Sequence, residues 1–156
     1  VADVLVRPIR EGDAEDLAPK LRQADLLEIE AAGTPSALYG LSESAKRSTL
    51  SWAVEIDGEL VCMMGVCPLS LLCGLGAPWL LGSEAIERHA GAFIKHTKIY
   101  IPLMLQAYPH LFNLVDARNR KSIAWLRRAG FKVYAPIEAG PAKMLFHPFE
   151  MRVDHV

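Results

Sequence analysis

What this chain has little of excludes several common site chemistries. Cysteine is limited to Cys62, Cys67 and Cys73, an odd number within one apolar stretch and without a C-x-x-C pair. That usage argues against a disulfide framework, a zinc site or a thiol redox motif, and for buried reduced thiols in a reducing compartment. The five histidines, His89, His96, His110, His147 and His155, do not recur at ligand spacing and none stands beside a cysteine, so no metal centre is expected. No serine sits in a G-x-S-x-G setting, and apolar surroundings raise a thiol pKa, so no covalent nucleophile is expected either. An excess of charge is missing too. With 17 basic against 18 acidic residues, the chain as a whole carries no field that would gather nucleic acid or an anionic membrane. Gly74-Leu75-Gly76 lacks a third glycine, a following helix and a βαβ frame, which makes it a loop and not a dinucleotide site. No basic leader precedes an apolar run at the amino end, so nothing signals secretion.

Charge is also absent from the whole of residues 60–82, a run as long as the roughly 20 residues that span a bilayer as a helix. Gly65, Pro68, Gly74, Gly76 and Pro78 interrupt it too often for one helix, whereas two buried strands joined by a glycine-rich loop use each of them. The expectation is sheet, with no membrane span.

At 156 residues and 51% hydrophobic composition, the chain can bury one sizeable core, and residues 1–156 read as a single domain. Residues 4–8 alternate as a first strand. Asp13 then caps a helix that turns Leu17 and Leu21 inward, a second helical piece covers residues 25–32, and a third covers about 41–50. Residues 52–56 and 60–66, joined by Asp57-Gly58, form the clearest hairpin, since Asp-Gly supplies the positive φ angles of a two-residue turn. Residues 78–81 give a fourth strand. A long helical pattern runs over 90–108, and Pro102 predicts a kink or break near Lys98. A closing strand covers 145–153, where Pro148 suggests an edge or a bulge.

The rest of the chain hangs on residues 111–131. Leu111, Phe112, Leu114 and Val115 give a strand, Asn119 an N-cap, Ile123, Trp125, Leu126 and Ala129 a helix, and Gly130 a left-handed stop with Phe131 folding back. The whole order predicts an α+β domain with a mostly antiparallel sheet.

Arg7-Pro8 with residues 13–17, and Asn119, Ser122, Ile123, Trp125, Arg128, Gly130 and Phe131, resemble the GCN5-related N-acetyltransferases (GNAT). The latter set follows that superfamily's second cofactor motif, N-x-x-[AS]-I-x-x-Y-x-[KR]-x-G-F, with Leu126 where the motif carries the tyrosine that protonates the departing thiolate. Arg88 and Gly91 fit the first motif, [RQ]-x-x-G-x-[GA], at the start of the long helix, and Phe93 stands in place of its small residue. The resemblance implies a GNAT-like, mixed, mostly antiparallel twisted sheet with helices on both faces. It implies an acetyl-CoA cofactor whose pyrophosphate rests on the amides near Gly91 and Ala92, beside Arg88, Phe93 and Arg128. Asn119 and Ser122 would then face the pantetheine, and a backbone N–H at the end of the strand at Leu81 would hold the thioester carbonyl. Residues 26–33, 79–83, Arg88 with Gly91, and 111–130 also resemble, in common order, the GNAT-like internal core proteins of short-tailed phages, which implies a phage source and a place in the host cytoplasm or the virion.

Each of these residues also has a plainer reading. Asn119 and Ser122 suffice as a helix cap, Arg88 as a solvated helix residue, Gly91 as helix-start geometry, and Arg118, Arg120, Lys121, Arg127 and Arg128 as a solvated face; without interleaved aromatics that cluster gives little support to nucleic acid. Two functions therefore stand open. The first is acetyl transfer from acetyl-CoA to an unknown amine, with Glu28, Glu30 and Glu55 as available bases and no catalytic residue assigned. The second is a non-catalytic core or assembly protein that keeps the fold and contacts other virion proteins.

Overall fold

The charge-free stretch folds as sheet. A computed structural model describes residues 2–153, so His155 lies outside the described residues. Its elements run β1 (Val4–Arg7), α1 (Asp13–Leu17), a 3-10 turn (Ala18–Lys20), α2 (Gln23–Ala31), α3 (Ala37–Arg47), β2 (Leu50–Ile56), β3 (Glu59–Ser70), β4 (Leu75–Gly82), α4 (Ala85–Arg88), α5 (Ala90–Ala107), β5 (His110–Asp116), α6 (Arg120–Ala129), β6 (Lys132–Val133), β7 (Ile137–Ala139) and β8 (Met144–Arg152). Asp57 and Gly58 take φ values of 51° and 81°, the angles that the hairpin turn requires. Among the described residues no helix is long and apolar enough to cross a membrane.

The strands form one eight-stranded sheet in the order β1-β2-β3-β4-β5-β8-β6, with β7 also on β8. All neighbours are antiparallel except β4 and β5, which are parallel and joined by the α5 crossover that parallel neighbours need. Side chains alternate between the faces. Ala53, Met63 and Leu81 pack with Leu17, Leu21 and Leu41 on one face. Val54, Cys62 and Met64 pack with Ile86 and Phe93 on the other, where Met104, Leu111, Val115, Ile123, Phe131 and Phe149 continue the core. This is the α+β architecture that the element order predicts, with helices on both faces.

Several local expectations need correction. Asp13 does not cap α1; Gly12, at φ 92°, holds that place, and the Asp13 carboxylate accepts from Arg7 at 2.8 and 3.0 Å and from the Arg10 amide at 2.7 Å. Tying β1 to α1 by an ion pair outweighs a local cap. Helix α3 begins at Ala37, ahead of the expected start, because the Ser36 hydroxyl takes the Tyr39 amide as a side-chain cap. Helix α5 runs through Pro102 without a break. Cys73 is exposed near the β3–β4 turn, whereas Cys62 is buried and Cys67 partly so. Pro148 is not at an edge, since β8 lies between β5 on one side and β6 and β7 on the other. Its carbonyl accepts from the Tyr134 amide, and a strand residue turns its N and O to the same side. The missing N–H therefore faces the interruption between β6 and β7, where no ladder partner is lost.

The end of α6 is built as the sequence predicts. Gly130 stands at φ 103°, the Phe131 amide reaches the Leu126 carbonyl at 2.9 Å, and the buried Phe131 ring meets Phe149 edge-on at 5.3 Å. Replacing Phe131 by Ala should destabilise the protein by about 3 to 5 kcal/mol, the usual cost of deleting a buried phenylalanine. Urea denaturation measures it.

Candidate functional site

Beyond Gly76 the parallel strands β4 and β5 part. Their ladder consists of Leu75 opposite His110 and Gly76 opposite Leu111. The next groove-facing residue on β4 is Pro78, which has no N–H to offer. Its carbonyl instead accepts from the Asn113 side-chain amide at 2.8 Å, while Asn113 Oδ1 takes the Leu114 N–H at 2.8 Å. One side chain thus satisfies both strands at the point where they separate.

At the wide end, two carboxylates from α2 do the same work. Asp25 Oδ2 accepts the Gly82 amide at 3.0 Å, and Glu28 Oε1 accepts the Asp116 amide at 2.6 Å. Peptide groups alternate along a strand, so Pro78, Leu80 and Gly82 face the opening while Trp79 and Leu81 face β3. Leu80 therefore turns its N–H and C=O into the opening, where neither has a protein partner among the described residues. The expected carbonyl-holding amide at Leu81 is directed at β3 instead, one residue out of phase, although the Leu81 side chain lines the cavity.

Arg22 ties this end together. Its guanidinium is almost fully buried, bonds Asp25 at 2.7 and 3.1 Å and Ser122 Oγ at 3.1 Å, lies 3.5 Å from Glu87, and stacks 4.9 Å above the Trp125 ring. Glu87 in turn pairs with Lys121 at 2.7 Å. These contacts join α2, α4 and α6 around the separated strands.

The opening belongs to a cavity of about 520 Å³ that passes through the sheet. On one side α5 and α6 line it with Phe93, Thr97, Tyr100, Trp125 and Leu126; on the other, α2, α3 and the β7–β8 turn line it with Glu28, Ile29, Ser44, Ala139 and Gly140. Glu28 is the one charged residue among the lining residues. Burial pushes its carboxyl up to about 7, against the opposing bond from the Asp116 amide, and nearby Asp25 and Asp116 add to the rise. Asp116 behaves oppositely: burial would raise it, but hydrogen bonds from the Arg118 side chain and amide hold it below the usual carboxylate range. Two neighbouring carboxyls thus have their protonation driven apart, the pattern found where acid and base roles are divided.

Of the sequence-predicted residues, Leu81, Phe93 and Ser122 stand on the cavity wall; Arg88, Gly91, Ala92, Asn119 and Arg128 do not. Phe93 points inward, its ring 5.7 Å from Trp125. Asn119 is buried and its carbonyl accepts the Ser122 amide at 3.3 Å, so capping occupies it. Arg88 ends α4 and is exposed, and Arg128 is exposed in the last turn of α6. Gly91 and Ala92 lie in the first turn of α5, where the Phe93 amide bonds the His89 carbonyl; helix geometry leaves the amides ahead of it without partners in the helix. A Cβ on Gly91 would touch nothing within 4 Å. Among the available bases, Glu30 is exposed and Glu55 is held by Arg7 at 2.6 Å, which leaves Glu28. Sequence reasoning missed Arg22, Asp25, Leu80 and Asn113; a polar Asn113 in the middle of an apolar strand was the one available signal. Among the described residues no group of three His, Cys, Asp or Glu could hold a metal ion.

A carboxyl whose folded pKa is raised binds more protons in the folded state, so its contribution to stability falls as pH rises from about 4.5 to about 7. The variant Glu28→Gln keeps an acceptor for Asp116 and cannot ionise. With its stability matched to wild type at pH 4, it should be the more stable of the two at pH 8 by roughly 2 to 3 kcal/mol, read from urea denaturation at both pH values.

Neither a family model nor a curated protein matches the sequence. Solved structures do match in shape. The spermidine N-acetyltransferase of Vibrio cholerae in complex with CoA and spermine superposes with a TM-score of 0.70 at 10% identity, covering 96% of this chain and 95% of that one. A GNAT-family acetyltransferase of Streptococcus pneumoniae gives 0.66 at 11% identity, over 97% and 100%. The aminoglycoside acetyltransferase AAC(6')-Ib in complex with coenzyme A gives 0.68 at 15% identity, over 96% and 95%. With its single parallel pair opening between β4 and β5 in an otherwise antiparallel sheet, the chain has the GNAT acetyltransferase fold.

Proposed function

We propose that the chain is an acyl-CoA-dependent N-acyltransferase, acetyl-CoA being the expected donor. The observation that carries this reading is the unpaired Leu80 peptide facing a through-sheet cavity whose one charged lining residue is Glu28. The chain fits such a donor at three points. Leu80 N–H can hold an acyl carbonyl as a fixed donor beside a largely apolar lining. The open strand edges and Asn113 can pair with the amides of a pantetheine. The first amides of α5, at Gly91 and Ala92, can take a phosphate on the positive end of an 18-residue helix, with Arg88 one turn away. Bound acetyl-CoA would supply a thioester whose C–S bond breaks as the amine nitrogen forms the C–N bond, the amine's two surplus protons leaving to Glu28 and to the departing thiolate.

Glu28 is the base in this reading, since a carboxylate titrating near 7 both accepts a proton from an ammonium and passes it on to solvent. The wall offers no matching acid at the position of the motif tyrosine: Leu126 lines the cavity there. This substitution, together with the Asp25 and Glu28 carboxylates that already occupy two groove amides, favours the second reading, a phage core or assembly protein that keeps the fold without catalysis. Calorimetry with acetyl-CoA separates the two, and binding heat is expected. Changing Gly91 to Asp adds a negative side chain in open space and leaves packing alone, so affinity should fall tenfold or more while the circular dichroism spectrum is unchanged. No heat from folded wild-type protein at millimolar acetyl-CoA would leave the assembly role as the account. In an active enzyme, Leu126→Tyr restores the acid position and should raise kcat by about tenfold or more, within the usual range of general-acid effects.

A further inference from the structure

We propose, resting on the acyl-transfer reading, that the acceptor is a primary monoamine with an apolar body, of the alkylamine or arylalkylamine class. The site for it is the arm of the cavity between α2, α3 and the β7–β8 turn. The α5–α6 arm holds Phe93, two residues past Gly91, and the motif residue Ser122, which leaves this second arm for the other substrate.

Its chemistry is one-sided. Ile29, Ala32, Leu114, Ala139 and Phe146 supply apolar wall, Thr34 and Ser44 are its neutral polar members, and Trp79, also lining, directs its indole N–H to Ser48 at 2.7 Å. One carboxylate, Glu28, can meet one ammonium. A polyamine or an aminoglycoside would bring further cationic groups into a wall that has no second carboxylate for them, and an unpaired charge away from water is strongly disfavoured. An amino acid would bring a carboxylate to a lining that contains no Lys or Arg. A polypeptide amino terminus would have to lay its polar backbone along this largely apolar wall, whose outer end lies at the exposed Ala32 and Gly140. What the wall matches is an amine with one ammonium and an apolar substituent.

The test titrates the protein alone by NMR with 2-phenylethylamine, spermidine and an alanine-led tetrapeptide, and then measures kcat/KM for each with acetyl-CoA. 2-Phenylethylamine should bind at least tenfold more tightly than the others and be acetylated with at least tenfold higher kcat/KM. Preference for spermidine or the peptide overturns the proposal. So does acetyl-CoA binding with no detectable binding of 2-phenylethylamine, a result that leaves the transferase reading standing; binding of the amine without any binding of acetyl-CoA supports this acceptor arm and removes the transferase reading instead. Ser44→Asp and Ala139→Asp each place a second carboxylate in the arm. Whichever variant folds should shift relative affinity tenfold or more from hexylamine toward hexane-1,6-diamine, and an unchanged ratio in a folded variant overturns the location.

Discussion

The separation of β4 from β5 depends on one buried ion pair. Arg22 and Asp25 are both about 1% exposed, and a guanidinium brought that far from water is tolerated only when its donors are met. Here they are met by Asp25, Ser122 and Glu87, with the Trp125 face closing the remaining side. Since Asp25 also takes the Gly82 amide and the Arg22 amide bonds the Gly82 carbonyl at 2.9 Å, the pair fixes α2 to the end of β4. The contact to Ser122 fixes α6 in the same stroke. A hydrophobic pair could fill the volume, but it could not hold two strand ends apart while satisfying their peptide groups.

The narrow end is set by different physics. Gly76 packs so closely beneath Tyr108 that a Cβ there would come within 2.6 Å of the ring, which lets β4 reach β5 and pair. Two residues later Pro78 lacks the donor that the ladder would need next, and the Asn113 side chain stands between the Pro78 carbonyl and the Leu114 amide, donating to the one and accepting from the other. Pairing cannot resume, because Asp25 and Glu28 already hold the amides that would have continued it. Leu80, between these two fixed points, is left with a free peptide group. The opening is thus a consequence of where partners stop, not of strain: among the described residues there is no cis peptide, and the residues with positive φ all lie in turns or at helix ends.

Local grammar was legible wherever neighbours in sequence are neighbours in space. Asp57-Gly58 forced its hairpin, Asn119 and Gly130 bounded α6, and glycine and proline kept the charge-free stretch from reading as a helix. What was not legible came from distant partners. Asp13 looked like a cap because the sequence does not show Arg7 bending back to it, and Pro148 looked like an edge because the interruption between β6 and β7 supplies its tolerance. The site suffered most. Arg22 meets Ser122 across a hundred positions, and Glu28 meets Asp116 across 88, separations over which periodicity carries no information. The motif residues lie on α6, which lines the cavity with Ser122, Trp125 and Leu126, while the strand peptide that faces the opening is Leu80, one position from the Leu81 that the resemblance implied.

In the proposed acyl-transfer reading, a base at Glu28 without an acid at Leu126 is chemically coherent. A primary amine of pKa near 10.4 is neutral only to about one part in 2,500 at pH 7, a handicap of roughly 4 to 5 kcal/mol that a positioned carboxylate can relieve. A departing thiolate faces a smaller demand, since a thiol pKa near 8.5 lies within about two units of ambient pH, so water or the amine's own proton can serve it. In the proposed acyl-transfer reading, deprotonation of the acceptor is therefore the harder half of the reaction, and Glu28, the one charged residue among the lining residues, is available for that half. Leu126 adds apolar surface where an acid is least needed.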